Sequence, residues 1–510
     1  MHRVIWFLFV AGFLLAMSGC GSQYSMASNP ASNSNSSNVP VSMMVTDTPP
    51  TGVTVLFFQL SITGASLATS SGSVSLLNTT NPIPINVTQL QTEAAFLGSV
   101  NVPAGTYNSL SVTFANPQLT IFNDSGAAIG NCSNNTVCQL TPTTTPSTLT
   151  FSTDPFPVTL TANSPLAFKL DIHLDKIIQQ DLSVDLSTTD GLTVSQLPTP
   201  PQGEPFPHVG HLVGTIKSLT TNGFTLLTDD GRTFSIGTDS STTYKYPSSV
   251  CTTDNFACLA TKQIVKVKLS LMAGGTLLAT EVKFVQAAGQ NVVEGNIIRL
   301  STSGANTVMD LIVQQCAPMQ MFSKPPFGQR ASVTVPSTGV TYAIDSGTFT
   351  IPSGLSFASS TDLAVGQEVS VAVQGSVGPG SGADMSAPFL GPAAIALTTN
   401  SITLEPSQIT GSVAAIDASA SSFTLSTFPF GFVPPAVTPG TLPILVPFNL
   451  TVQTTSATTF TDLSPDTIAG LSVNDVVSVG GWIFSTPSGV TTITQAADTV
   501  VGRPGPVPLF

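Results

Sequence analysis

An all-β architecture is what this sequence predicts: an N-terminal β-sandwich followed by three tandem small OB-like β-barrel modules. Three observations carry the expectation. Charged residues make up only 8% of the 510 positions, against roughly 25% in an average soluble protein, and Ser, Thr, Gly, Pro and Asn take their place. That composition suits strands joined by turns and suits helices poorly. Stretches of period-two alternation recur along the chain, and one nine-residue pattern appears three times.

The first twenty residues read as a secretory leader. Arg3, with His2, gives a positive start, Val4 to Met17 is apolar, and Ser18-Gly19-Cys20 follows. A basic start, an apolar run and a small-residue cut site describe a signal peptide, and the run is too short for a comfortable membrane span. Ser18-Gly19-Cys20 resembles the bacterial lipobox, with Met17 where Leu is usual. The resemblance implies a signal peptide over 1–19 and lipid attached to Cys20; an ordinary cleaved leader with an unmodified Cys is the alternative. Residues 20–39 form an uncharged Ser/Asn-rich tether that behaves as a flexible spacer. Each buried acyl CH₂ adds about 0.8 kcal/mol to such an anchor. Gly21 rather than Asp follows the Cys, which by resemblance to enterobacterial lipoprotein sorting points to the outer membrane. Mean hydropathy is positive, yet no apolar run past residue 20 approaches the roughly 18 residues of a spanning helix.

Cys132 and Cys138 flank five polar or small residues, and Cys251 and Cys258 flank six. Two local disulfides closing hairpin loops fit an oxidising compartment, with four free thiols as the alternative. Cys316 is left over.

Residues 40–195 form the first unit. Val41 to Val45 and Val53 to Ile62 read as strands, and Leu166 to Leu174 alternates apolar and polar side chains. Thr46-Asp47-Thr48-Pro49, the Pro103-Ala-Gly-Thr-Tyr107 turn and Lys169-Leu-Asp171-Ile-His-Leu-Asp175 occur in that order. Together they resemble an uncharacterised bacterial domain family found near the N-terminus of secreted lipoproteins. The resemblance implies a sandwich fold and an envelope setting, with no activity attached. Residues 196–211 (QLPTPPQGEPFPHVGH) read as a Pro-rich linker.

An internal repeat follows. Gly214-Thr-Ile-Lys-Ser-Leu219 recurs as Gly295-Asn-Ile-Ile-Arg-Leu300 and as Gly411-Ser-Val-Ala-Ala-Ile416. Leu259-Ala-Thr-Lys-Gln-Ile-Val-Lys-Val267 aligns without gaps to Leu363–Val371 and Leu471–Val479. Each copy reads as a small closed barrel, since closure removes exposed edges. The expected bounds are 212–290, 291–404 with an insertion, and 405–510 with an insertion. The copies resemble a second bacterial family of unknown function, small β-barrels often found in tandem on secreted proteins.

Candidate chemistry is sparse. There is no zinc, phosphate-loop or nucleophile-elbow motif, so neither a catalytic residue nor a cofactor is expected. Fourteen Lys and Arg spread over the chain form no basic stripe, which argues against nucleic acid. His208 and His211 could pair on a metal, but Pro205 and Pro207 oppose a helix there, and a solvated linker is the reading preferred. Asp47, Asp171 and Asp175 are candidate ligand or cation contacts; the competing role is turn capping. Cys316, Met319 and Met321 offer soft sulfur for copper, against simple packing. Phe428, Phe430 and Phe432 form an apolar loop that either docks on a partner or plugs a barrel.

The function expected is a non-enzymatic, lipid-anchored cell-envelope protein presenting tandem β-domains as a binding or scaffolding surface. Its partners would be the membrane, through the anchor, and an envelope protein or glycan. A carbohydrate- or polymer-binding adhesin using barrel loops is the alternative. A pocket lined by converging carboxylates or histidines would instead favour an enzyme.

Overall fold

Strands account for nearly all regular structure in the computed structural model. It describes residues 38–503 apart from 49–53, 78–80, 124–126, 135, 163, 180, 199–204, 248–249, 273–274, 287–290, 318–326, 348, 375–377, 380–394, 428–447 and 486–492. Among the described residues the helix is confined to one α-turn, Leu174–Ile177, and short 3₁₀ turns. None of these is long or apolar enough to cross a membrane.

The N-terminal unit is a two-sheet sandwich. One sheet orders Leu192–Gln196, Leu166–His173, Asn38–Thr48 and Ala95–Pro103; the other centres on the long antiparallel partners Thr54–Ala68 and Ser109–Asn123. The alternation from Leu166 to His173 is what buries Leu166, Phe168, Leu170 and Ile172 in the core between them. Tyr107, at the end of the Pro-Ala-Gly-Thr-Tyr turn, is buried and donates its hydroxyl to the Pro103 carbonyl at 3.0 Å. That bond ties the turn to itself.

Three barrels follow with the same topology. In the first, Phe206–Thr220 pairs with Gly223–Leu227 and Ile264–Leu271, and Leu277–Gln286 closes the barrel by running parallel to Thr233–Gly237. In the second, Ile395–Glu405 closes against Arg330–Val335; in the third, Ile493–Arg503 closes against Phe448–Gln453. A short extra strand pairs in parallel with the closing strand in each: Thr243–Lys245, Thr341–Ile344 and Thr459–Thr461.

The nine-residue repeat is the tight turn entering the fifth strand. Lys262, Gly366 and Asn474 stand at its equivalent position, all in left-handed backbone with φ of 70°, 90° and 76°. Their amides donate to Ile216, Ile297 and Val413 on the first strand of each barrel. The next side chain accepts from the turn's own backbone: Gln263 from Ala260 at 2.8 Å, Gln367 from Ala364 at 2.8 Å, Asp475 from Ser472 at 2.6 Å. The glycine opening the copies has a steric reason as well. A Cβ on Gly214 would lie 2.5 Å from the Leu227 carbonyl oxygen, and one on Gly295 would lie 2.4 Å from that of Ile312.

One expectation needs correction. Residues 206–211, read as part of a linker, are the start of a strand, with Phe206 and Val209 fully buried. The prolines misled because they fit the first residues of a strand as readily as a linker. The His211 amide donates to the Ala94 carbonyl at 2.8 Å, so the sandwich sheet runs on into the first barrel as one ten-stranded sheet. Met44, Phe96 and Ala167 of the sandwich share a core cluster with Leu212, Leu269 and Ala279 of that barrel.

Candidate functional site

Charge is scarce in this chain, and much of it meets in one place. A cavity of about 190 Å³ lies where the sandwich and all three barrels come together. Five of the six glutamates in the sequence line it, Glu93, Glu281, Glu294, Glu368 and Glu405, with Glu204 the exception. So do four of the nine lysines, Lys245, Lys266, Lys268 and Lys283, together with His211, Asp345 and Asp498.

Strand geometry gathers these groups. Lys266 and Lys268 alternate on one face of Ile264–Leu271, and Glu281 and Lys283 on the adjacent strand register near them. Glu281 then accepts from Lys245 at 2.9 Å and faces Lys268 at 3.8 Å. Lys283 reaches out of the first barrel to two acids of the second, Asp345 at 2.8 Å and Glu405 at 2.9 Å. Glu93 of the sandwich holds Lys266 at 2.5 Å and lies 3.4 Å from His211.

The segment 86–93 of the sandwich threads this junction. Asn86 Nδ2 donates to Gln314 Oε1 at 2.8 Å, and Gln89 Nε2 donates to Glu368 Oε1 at 2.8 Å, both in the second barrel. Gln408 of the third barrel accepts from the Thr92 amide at 2.9 Å and donates to the Gln89 carbonyl at 2.7 Å. Thr410 donates to Gln91 Oε1 at 2.9 Å, and Arg503 donates to the Gln91 carbonyl. Gly480 makes room for this segment, since a Cβ there would lie 2.9 Å from Thr92 Oγ1. Eight residues thus bond to every barrel.

Burial and neighbours push these groups apart in proton affinity. Burial raises the Glu93 carboxyl, but Lys266, His211 and Lys268 outweigh it and hold it well below the usual range. Burial, reinforced by Lys266, lowers His211 to about 4. Burial pushes Glu405 up to about 8 against the pull of Lys283, and raises Glu368 well above its ordinary value with Glu294 beside it. Lys283 is desolvated too, yet its two acidic partners hold its proton firmly. The site therefore combines fixed ion pairs with two buried carboxyls, Glu368 and Glu405, whose proton affinity is raised.

Most of the described residues singled out from sequence lie elsewhere. Both disulfides form, Cys132–Cys138 and Cys251–Cys258, each with Cα atoms 5.7 Å apart. Asp171 sits on the strand Leu166–His173, with Oδ1 buried and without a hydrogen bond; its register partner Thr46 leaves Oγ1 in the same state. Asp47 is in the strand Asn38–Thr48, and its side chain is outside the described residues. Asp175 is in the α-turn, where burial raises its carboxyl against Lys176 and His173. No group of three His, Cys, Asp or Glu among the described residues is arranged to hold a metal ion. Cys316 is buried in the second barrel's core, which pushes its thiol up to about 12. Met319, Met321, Cys20, tether residues 20–37, Phe428, Phe430, Phe432 and the His208 side chain lie outside the described residues; the last two tether positions, Asn38 and Val39, instead open the strand Asn38–Thr48, with Val39 buried. His211, placed in a solvated linker by sequence, instead faces Glu93 inside the junction.

Two domains of unknown function match this chain. Residues 38–187 match DUF4382, and residues 213–283 match DUF5666. The first stretch covers most of the sandwich, including the 86–93 segment. The second holds four of the lysines of the first barrel's cavity face. No curated protein matches the chain.

Proposed function

We propose that this protein is a non-enzymatic, lipid-anchored envelope protein that holds a stiff array of β-modules off the membrane as a binding or scaffolding surface. The observation that carries the array is the 86–93 segment, whose side chains and backbone bond to all three barrels, to the first through Glu93 and Lys266. Inter-domain contacts of ordinary size permit relative motion. Here, a shared sheet, a charge network and a threaded segment work against it. The anchor rests on the leader, on Ser18-Gly19-Cys20 and on the tether that follows.

Expression in a bacterial host, with intact-mass measurement of the membrane fraction, tests the anchor. A mature chain starting at an acylated Cys20 supports the reading, and a Cys20→Ala chain should move to the soluble fraction. Recovery of an unprocessed chain from cytosol would end it. Crosslinking in intact cells then looks for the envelope partner.

The glycan-binding alternative has less support. Trp482 stacks on Phe349 at 4.9 Å between the second and third barrels and is 3% exposed, so it offers no platform. Tyr107, Tyr244 and Tyr246 are buried as well. Converging carboxylates do favour one second reading, a hydrolase using Glu368 or Glu405 as a general acid. A panel of chromogenic glycosides and esters separates the two, with turnover abolished by Glu368→Gln or by Glu405→Gln as the result required of an enzyme.

A further inference from the structure

The second barrel turns four carboxyls into the junction, Glu294, Asp345, Glu368 and Glu405, and they are poorly matched by cations. Glu294 and Glu368 form no ion pair among the described residues, and Glu405 shares Lys283 with Asp345. Glu294 and Glu368 are diagonal neighbours across one antiparallel ladder, since Asn296 registers with Glu368 and Glu294 with Ser370. Glu368 and Glu405 are 6% and 9% exposed. Two carboxylates this close in a poorly hydrated site do not ionise together without strong repulsion.

The other groups around them leave that imbalance in place. On the first barrel Lys266 is taken by Glu93, and Lys245 and Lys268 by Glu281. His211 is neutral near pH 7 and adds no positive charge. Asp498, on the third barrel's closing strand, adds a further acid. Full ionisation would place seven carboxylates against four ammonium groups around one cavity of about 190 Å³.

We propose that this junction is a proton-dependent clamp: with Glu368 and Glu405 neutral the 86–93 segment is locked to barrels two and three, and loss of those protons releases it. A protonated Glu368 still accepts from Gln89 through its carbonyl oxygen, so the bond at 2.8 Å needs no charge. Ionisation demands water, and the route that breaks least is the polar junction. Each barrel is closed by its own ladders, and those stay intact. An apolar patch remains as a pivot, with Leu56, Phe57 and Phe122 of the sandwich against Ile298 and Ile312. The clamp does not depend on the lipid anchor.

Hydrogen–deuterium exchange on the purified full chain in detergent tests this. Protection factors, corrected for the pH dependence of chemical exchange, are followed for peptides over 86–93 from pH 6 to pH 9.5. The expected result is a tenfold or greater loss there, while the interior strand 264–271 keeps its protection. Glu405→Gln and Glu294→Gln, made separately in case Glu368→Gln does not fold, each leave one fewer carboxylate to repel and should reduce the loss at pH 9.5 or remove it. Constant protection over 86–93 would overturn the proposal. So would an equal loss in both regions, or Gln variants that lose as much protection at pH 9.5 as the wild type.

Discussion

Gln89 Nε2 lies 2.8 Å from Glu368 Oε1, a single bond across 279 positions of chain that joins the sandwich to the second barrel. Removing it strands a buried acceptor, which costs about 1–3 kcal/mol. Gln89→Ala should therefore lower unfolding stability by that amount in a denaturant titration. Gln89→Glu should cost more, because it adds another acid to the same site.

The acid limb of stability follows from His211. Its folded value of about 4 lies below the ordinary value of 6.5. Between those values the unfolded chain binds the proton and the folded chain does not, so stability falls as pH drops from 6.5 to 4. The effect is at most about 3 kcal/mol. His211→Gln should flatten this limb of a Tm-against-pH curve. The loss below pH 4.5 that comes from Glu93 should persist, because its lowered carboxyl is protonated first in the unfolded chain.

Glu405 sets the opposite slope. Its proton is held to about pH 8 in the folded chain and lost near 4.5 in the unfolded one. Stability contributed by the neutral carboxyl thus declines as pH rises through that window. Glu405→Gln should raise Tm at pH 9 relative to pH 6, measured by scanning calorimetry against the wild type.

Gly210 is irreplaceable for steric reasons. It has φ of 110°, and a Cβ there would lie 2.7 Å from the Phe96 amide nitrogen. Gly210→Ala should cost about 1–3 kcal/mol through backbone strain and the clash. Urea titration gives the magnitude, and protection of the His211 amide reports whether the sheet has parted.

Thiol chemistry should be silent in the native chain. Cys316 is buried with its thiol pushed up to about 12, and the four disulfide cysteines do not react. Iodoacetamide at pH 8 should add no mass at any of these five positions, and after reduction four should label before Cys316. Breaking Cys251–Cys258 should cost about 2–3 kcal/mol on chain-entropy grounds.

Much of the fold was legible because its signals are local. The repeated turn needs left-handed backbone at Lys262, Gly366 and Asn474 and a capping side chain just after, so its pattern survives changes around it. The Leu166–His173 alternation works in the same way. The junction was not legible, because it joins Gln89 to Glu368 and Glu93 to Lys266, partners that no local pattern relates. Prolines hid the strand that carries His211. One signal was present in the sequence: Lys266-x-Lys268 and Glu281-x-Lys283 put four charges on alternate strand positions in a chain with few to place. Alternation places such charges on one face, and a charged face in so apolar a protein asks for a partner surface.

The bridge from Ala94 to His211 has a further consequence for how the chain can be divided. A cut in the stretch 199–204 would not yield two self-contained halves. The Ala95–Pro103 strand would lose its neighbour, and the Phe206–Thr220 strand would be left with Phe206 and Val209 uncovered, an edge inviting pairing between molecules. Whatever duplication produced the three barrels, the one beside the sandwich has given up its independence.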